Sequence, residues 1–433
     1  MYSYSFSKYN VIVEYKDKVV IFNLISTEFL IVTKSIFNQL RDGDISAIAN
    51  KKRLFESHFI HYYGEDETVN IWKSRLNAIK SINEQLSVVI LSTTFCNANC
   101  EYCYQHSADS KIKYGNMDIP TADLLIEYIF EKANNEEVFI WWFGGEPLLN
   151  INIMRYISER LREKGIEFSA YLISNGFFIA ENIESIIEVC NVKTVQITLD
   201  SIGYKYNSVK KIKSPDAFEK VVSNIELLLE NKVYVKIRIN FHVDAINSAI
   251  ETIEFLYRRF HNNQYLKVTC AHIIGENEES IFNVYPNPYI KIYKKLFECG
   301  YIKNLKDVQI KDKYVECMVY SDKNVVIDPF GFMYKCEHLI PHGIDRAYSK
   351  LGQNYIKDKE YQYWMNLSYT SEECISCQML PICSGGCKYK AKYIGDKSQC
   401  LPVKNCISEL ITMYMDYLCS KGLMINDDVQ FIG

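Results

Sequence analysis

Three thiols crowd one short stretch of this 433-residue chain, in the order Cys96-Asn97-Ala98-Asn99-Cys100-Glu101-Tyr102-Cys103, a C-x3-C-x2-C spacing. Thiolates are soft donors of the kind iron–sulfur clusters select. Three on one loop hold three irons of a [4Fe–4S] cube and leave one iron open to a small molecule. Zinc is the competing occupant, although zinc more often recruits histidine or paired C-x2-C. A second series follows: Cys317-x13-Gly331-x4-Cys336, then Cys374-x2-Cys377-x5-Cys383-x3-Cys387, then Cys406, with Cys400 as the rival for the last place. Zinc knuckles are the alternative there too.

Composition narrows the setting. The 15 cysteines are an odd number, and no charged segment followed by an apolar one opens the chain. A secreted disulfide framework is therefore a poor fit, and reduced thiols in the cytoplasm are expected. A balance of 49 basic against 53 acidic residues, net −4, argues against nucleic acid as a general partner. No run approaches the roughly 18 apolar residues of a membrane span, so no membrane partner is expected.

The elements that must position these thiols fall into three regions. Residues 1–83 open with alternating apolar segments, 9–15 and 19–24, split by Lys16-Asp17-Lys18, which predicts a hairpin. Helical patterns follow at 33–40 and 44–55. Residues 84–300 alternate β-rich runs (86–95, 138–143, 167–173, 194–199, 233–243, 266–273) with amphipathic ones (122–134, 151–164, 179–189, 216–231, 246–260). That alternation predicts an α/β fold, a parallel sheet or open barrel with helices outside and its site at the C-terminal strand ends. Residues 301–433 are cysteine-rich and irregular until a last helix at 405–422.

The thiol loop after the first α/β strand resembles that of the radical S-adenosylmethionine (SAM) enzymes, and the resemblance spans residues 86–299. It implies a partial (β/α)6 barrel in which SAM chelates the open iron, with Cys96, Cys100 and Cys103 as ligands of the catalytic cluster. Tyr102 falls in the slot beside the adenine. Gly144-Gly145-Glu146-Pro147 matches the motif that holds the methionine amino group. Ser174 and Asn175, with Gly176, match the segment near the ribose and carboxylate. Thr198, Asp200 and Asn240 take rim positions where SAM or substrate contacts fall.

The later cysteines resemble the SPASM extension, which implies two auxiliary [4Fe–4S] clusters and three in all. Cys374, Cys377, Cys383 and Cys406 would hold the distal cluster, and Cys317, Cys336 and Cys387 the one nearer the barrel. Residues 318–323 carry no thiol, where fully ligated relatives have one. An open iron there would suit a substrate thiolate, as in thioether-forming maturases of the sactipeptide and ranthipeptide type. Glu337 is a candidate base. Cys190, Cys270 and Cys419 read as core thiols. The N-terminal region resembles winged-helix-like peptide-recognition domains, which bind a precursor's leader as an added strand.

The expected function is a radical SAM maturase that forms a Cys thioether in a ribosomally made precursor peptide, served by a flavodoxin- or ferredoxin-like reductant. The alternatives are another SPASM oxidation, whether carbon–carbon crosslinking or sulfatase maturation, and a non-catalytic metal- or cluster-bearing binding module.

Overall fold

The computed structural model describes residues 4–82, 85–107, 109–273, 287–308, 317–353, 359–366, 371–394, 400–423 and 427–432. After a short strand β1 (Tyr4–Phe6), the predicted hairpin forms between β2 (Asn10–Tyr15) and β3 (Lys18–Asn23). Lys16 turns the corner in the left-handed region at φ 56°. β4 (Phe29–Thr33) pairs antiparallel with β3, and β5 (Ile60–Tyr62) pairs with β1 in a separate sheet. Thr33 caps the helix Lys34–Arg41 by accepting from the Ile36 amide at 3.3 Å. The helix expected over 44–55 is shorter and spans Lys51–Glu56. Asp44 turns its carboxylate onto the Ser46 amide instead, and Asn50 caps the helix at Arg53. Local side-chain hydrogen bonds of this kind compete with helix. Val19, Ile21, Leu30, Val32, Leu40, Leu54 and Phe59 close the core of this region.

The six predicted α/β strands all form: β6 (Ser87–Thr93), β7 (Val138–Gly144), β8 (Phe168–Ser174), β9 (Val192–Thr198), β10 (Tyr234–Phe241) and β11 (Leu266–His272). They lie parallel in the order β11-β10-β9-β8-β7-β6. Helices connect them, among them Ile119–Ala133, Ile151–Glu163, Ala217–Glu230 and Ile246–Phe260. Asp118 caps the first of these on the Thr121 amide, and left-handed Asn134 ends it. Burial alternates along β7 and β8, with Trp142 and Leu172 fully buried and Trp141 and Tyr171 half-buried. That is the pattern of a sheet covered by helices on one face and accessible on the other.

The irregular region holds more sheet than its pattern suggests. β12 (Asn324–Ile327) adds parallel to β6, and β13 (Phe332–Tyr334) and β14 (Ser349–Lys350) follow antiparallel, making a nine-stranded sheet. These strands are two to four residues long, too short to show a period. The last strand, β15 (Val429–Ile432), pairs antiparallel with β4 and becomes the fourth strand of the N-terminal sheet. Packing groups the chain into two units that do not follow the three-region division. One contains Met1–Ile79, Glu279–Glu316 and Ser368–Gly433, and the other Lys80–Glu278 and Cys317–Leu367.

Candidate functional site

The thiol loop leaves the C-terminal end of β6, and β7 ends against its stem. A Cβ on Gly144 would sit 2.1 Å from the Thr93 carbonyl oxygen, and one on Gly145 2.2 Å from that of Phe95. Only glycine allows this approach. The amides of Gly145 and Glu146 donate to those same oxygens at 3.0 and 2.8 Å. The crowding these glycines relieve is thus with the loop's own backbone. Pro147 starts a single turn, and its carbonyl accepts from Ser92 Oγ at 3.1 Å.

Glu146 is fully buried. Its carboxylate accepts from Ser174 Oγ at 2.9 Å and from the Asn175 and Leu148 amides at 2.8 and 3.2 Å. Burial pushes its carboxyl up to about 7 despite those bonds. Asn175 then reaches the thiol loop, donating from Nδ2 to Asn97 Oδ1 at 2.7 Å and lying 3.9 Å from Cys96 Sγ. Glu146, Ser174 and Asn175 therefore form one clamp from the ends of β7 and β8 onto the loop.

Tyr102 and Asp200 are also brought together. The Tyr102 hydroxyl donates to Asp200 Oδ2, and Lys210 Nζ meets both, at 2.6 Å from the hydroxyl and 2.8 Å from the carboxylate. Asp200 Oδ1 accepts from the Asn240 amide at 2.9 Å, while the Asn240 side chain accepts from Arg238 at 2.9 Å. Thr198 stands half-buried at the end of β9, in register with Arg238. Sequence reasoning missed Lys210, because a lysine ending a polar helix carries no sign that it will be buried.

Among the described residues, no group of three or more ligating side chains converges on one point, the arrangement a single zinc ion needs. A four-iron cube asks for something else, since each thiolate binds its own iron. Cys96 is pushed up to about 12 by burial and also feels Cys100 and Cys103, whose own thiols burial raises. Thiols that burial holds protonated need a metal to lose their protons. The donor set fits an iron–sulfur cluster.

Cys317 and Cys336 belong to the barrel unit, and Cys374, Cys377, Cys383, Cys387, Cys400 and Cys406 to the other. Buried Lys335, which feels Cys317, donates to the Ser321 and Asn324 carbonyls at 2.5 and 2.9 Å. Tyr104, just past the thiol loop, is half-buried with its ring 4.5 Å from that of His338, and it feels Glu337, Cys103 and Cys336. Glu337, 3.8 Å from Cys336 Sγ, thus stands on the segment that meets the exit of the loop.

In the other unit, Lys404 Nζ is 3.8 Å from Cys400 Sγ and feels Cys377, Cys383 and Cys374 as well. Cys406 is buried at the head of the helix Ile407–Ser420, with Glu409 as its charged neighbour. Cys400, half-buried, feels Cys374 and Cys377. Cys190 and Cys270 are core thiols as expected. Cys419 is not: it is partly exposed, with the Tyr15 hydroxyl at 3.4 Å and Lys16 Nζ at 3.5 Å.

A parallel α/β sheet with three thiols at the end of its first strand defines a radical SAM domain, and residues 90–256 match the radical SAM superfamily. The chain is homologous to SPASM-domain maturases that modify peptides and proteins. It is 25% identical over 425 residues to the radical SAM cyclopropyl synthase TigE of Paramaledivibacter caminithermalis, covering 87% of this chain and 84% of that one. It is 22% identical to the cysteine-type anaerobic sulfatase-maturating enzyme of Clostridium perfringens, over 68% of this chain and 86% of that one. Solved structures of anSMEcpe with bound AdoMet share the fold, at a TM-score of 0.58 and 20% identity over 78% of this chain and 97% of that one. Another carries AdoMet and a Cp18Cys peptide, at a TM-score of 0.56 and 19% identity over 78% and 98%. Among the described residues no helix is long and apolar enough to cross a membrane.

Proposed function

We propose that this chain is a SAM-dependent oxidoreductase that modifies a ribosomally made precursor peptide by removing hydrogen from one of its residues. The observation that carries this is the double clamp on the thiol loop, from Glu146 through Asn175 and from Asp200 through Tyr102. When bound there, a cluster and SAM supply a deoxyadenosyl radical, the agent that takes hydrogen from unactivated carbon. The protein's part is to ligate through Cys96, Cys100 and Cys103, to orient through the clamps and to exclude water.

Among SPASM oxidations, the named relatives favour ring or carbon–carbon bond formation and side-chain oxidation of the sulfatase-maturating kind. Thioether formation is the second reading, supported by the absence of a thiol in residues 318–323. In either case Glu337 would take the proton, and a small flavodoxin- or ferredoxin-like protein would supply electrons.

The N-terminal region would receive the leader as an added strand on β4. That edge already takes β15 through the pairs Val429↔Val32 and Phe431↔Leu30. Phe431 packs on Phe59 at 6.1 Å, beneath the Arg53 guanidinium. An extended segment with apolar residues at alternate positions fits there, and β15 would have to yield.

Anaerobic reconstitution tests the cofactor content. Three four-iron clusters give about twelve irons per chain with matching sulfide. Zinc without sulfide would favour the binding-module reading.

A further inference from the structure

Lysine is almost never fully buried unless it is paired, yet Lys210 is 2% exposed at the end of the helix Gly203–Lys210. Its Nζ holds Asp200 Oδ2 and the Tyr102 hydroxyl at 2.8 and 2.6 Å. Its backbone carbonyl accepts from the Asn99 amide at 2.9 Å and lies 4.0 Å from Cys100 Sγ. One residue thus grips the thiol loop twice, by main chain at Asn99 and by side chain at Tyr102. Through Asp200 and the Asn240 amide it ties that loop to β10.

We propose that Lys210 is a positioning residue for the thiol loop: it pins the Tyr102 ring by its hydroxyl, and its buried charge at that loop raises the reduction potential of the cluster held there. The inference rests on the reading of Cys96, Cys100 and Cys103 as cluster ligands. A pinned ring is a preorganised face, so a ligand stacking on it loses less ordering entropy. A cation in a poorly screened site favours the reduced, more negative cluster, because net charge is one determinant of cluster potential.

The test compares the anaerobically reconstituted full-length chain with Lys210→Met and Lys210→Arg by EPR-monitored redox titration and by SAM binding. The signal that changes on adding SAM identifies the loop's cluster. In Lys210→Met the ratio of reduced to oxidised cluster at a fixed poise falls about tenfold, about 59 mV for one electron, and SAM binding weakens about tenfold. Lys210→Arg restores the potential. Should Lys210→Met fail to fold, Lys210→Met with Asp200→Asn removes both buried charges; it returns the potential towards wild type and leaves SAM binding weak. An iron-loaded Lys210→Met, or that double variant, with wild-type potential and SAM affinity overturns the inference. So does a loss confined to melting temperature in both variants. Zinc in place of iron at the loop overturns the cluster reading beneath it as well.

Discussion

Glu146 sits where a carboxylate is costly, and its partners show why it stays. The Asn175 and Leu148 amides can only donate, so a glutamine in its place would set its own NH2 against one of them. Its carboxyl is raised from 4.5 to about 7, chiefly by burial. The folded chain therefore binds the extra proton. Stability from this group is present below about 4.5 and lost as pH rises through about 7. Urea denaturation of the unloaded chain should show wild type gaining on Glu146→Gln as pH falls across that window, by on the order of 3 kcal/mol. A flat difference would contradict this. The distal sulfur set gives a second prediction: Cys400→Ser lowers iron by up to about four per chain, whereas Cys406→Ser leaves it near wild type. The reverse result restores Cys406 as the ligand. The thiol loop at the end of β6 was legible because short spacings fix short distances. Lys210 was not, because its role depends on the register of a helix more than a hundred residues beyond the loop it grips.

At the scale of elements, alternation between period 2 and period 3.6 located all six barrel strands, since each is long enough to show its period. β12, β13 and β14 were missed because they are short and borrow their order from the edge of β6. The glycine pair after β7 was legible as a functional turn, but its reason is steric contact with Thr93 and Phe95. β15 occupies the edge of β4 on which the leader is proposed to add. A resident strand lowers the apparent affinity of any competing strand by the fraction of time the edge is open. A chain shortened to residue 422 should therefore bind the precursor's leader at least about tenfold more tightly than the full chain. It should also bind a synthetic peptide of residues 427–433 in trans. Isothermal calorimetry checks both, and equal leader affinities would place the leader elsewhere, for instance on the β2 edge.

Over the whole molecule, the chain crosses between its two packed units more than once, so pattern along the sequence could not mark their limits. Residues 279–316 and 368–433 pack with the N-terminal sheet, and residues 317–367 with the barrel. The later cysteines are divided accordingly, with Cys317 and Cys336 on one unit and Cys374, Cys377, Cys383 and Cys387 on the other. Mass spectrometry of the precursor peptide encoded beside this chain, co-expressed with it and isolated anaerobically, tests that account most directly. The account predicts a loss of two hydrogens per modification that disappears in Cys96→Ala. A cysteine that still alkylates would mark an oxidation away from sulfur, a protected one that keeps its sulfur a thioether, and one that has exchanged sulfur for oxygen the sulfatase-maturating kind. A peptide of unchanged mass, from cells in which the chain is fully loaded with iron and sulfide, would contradict it.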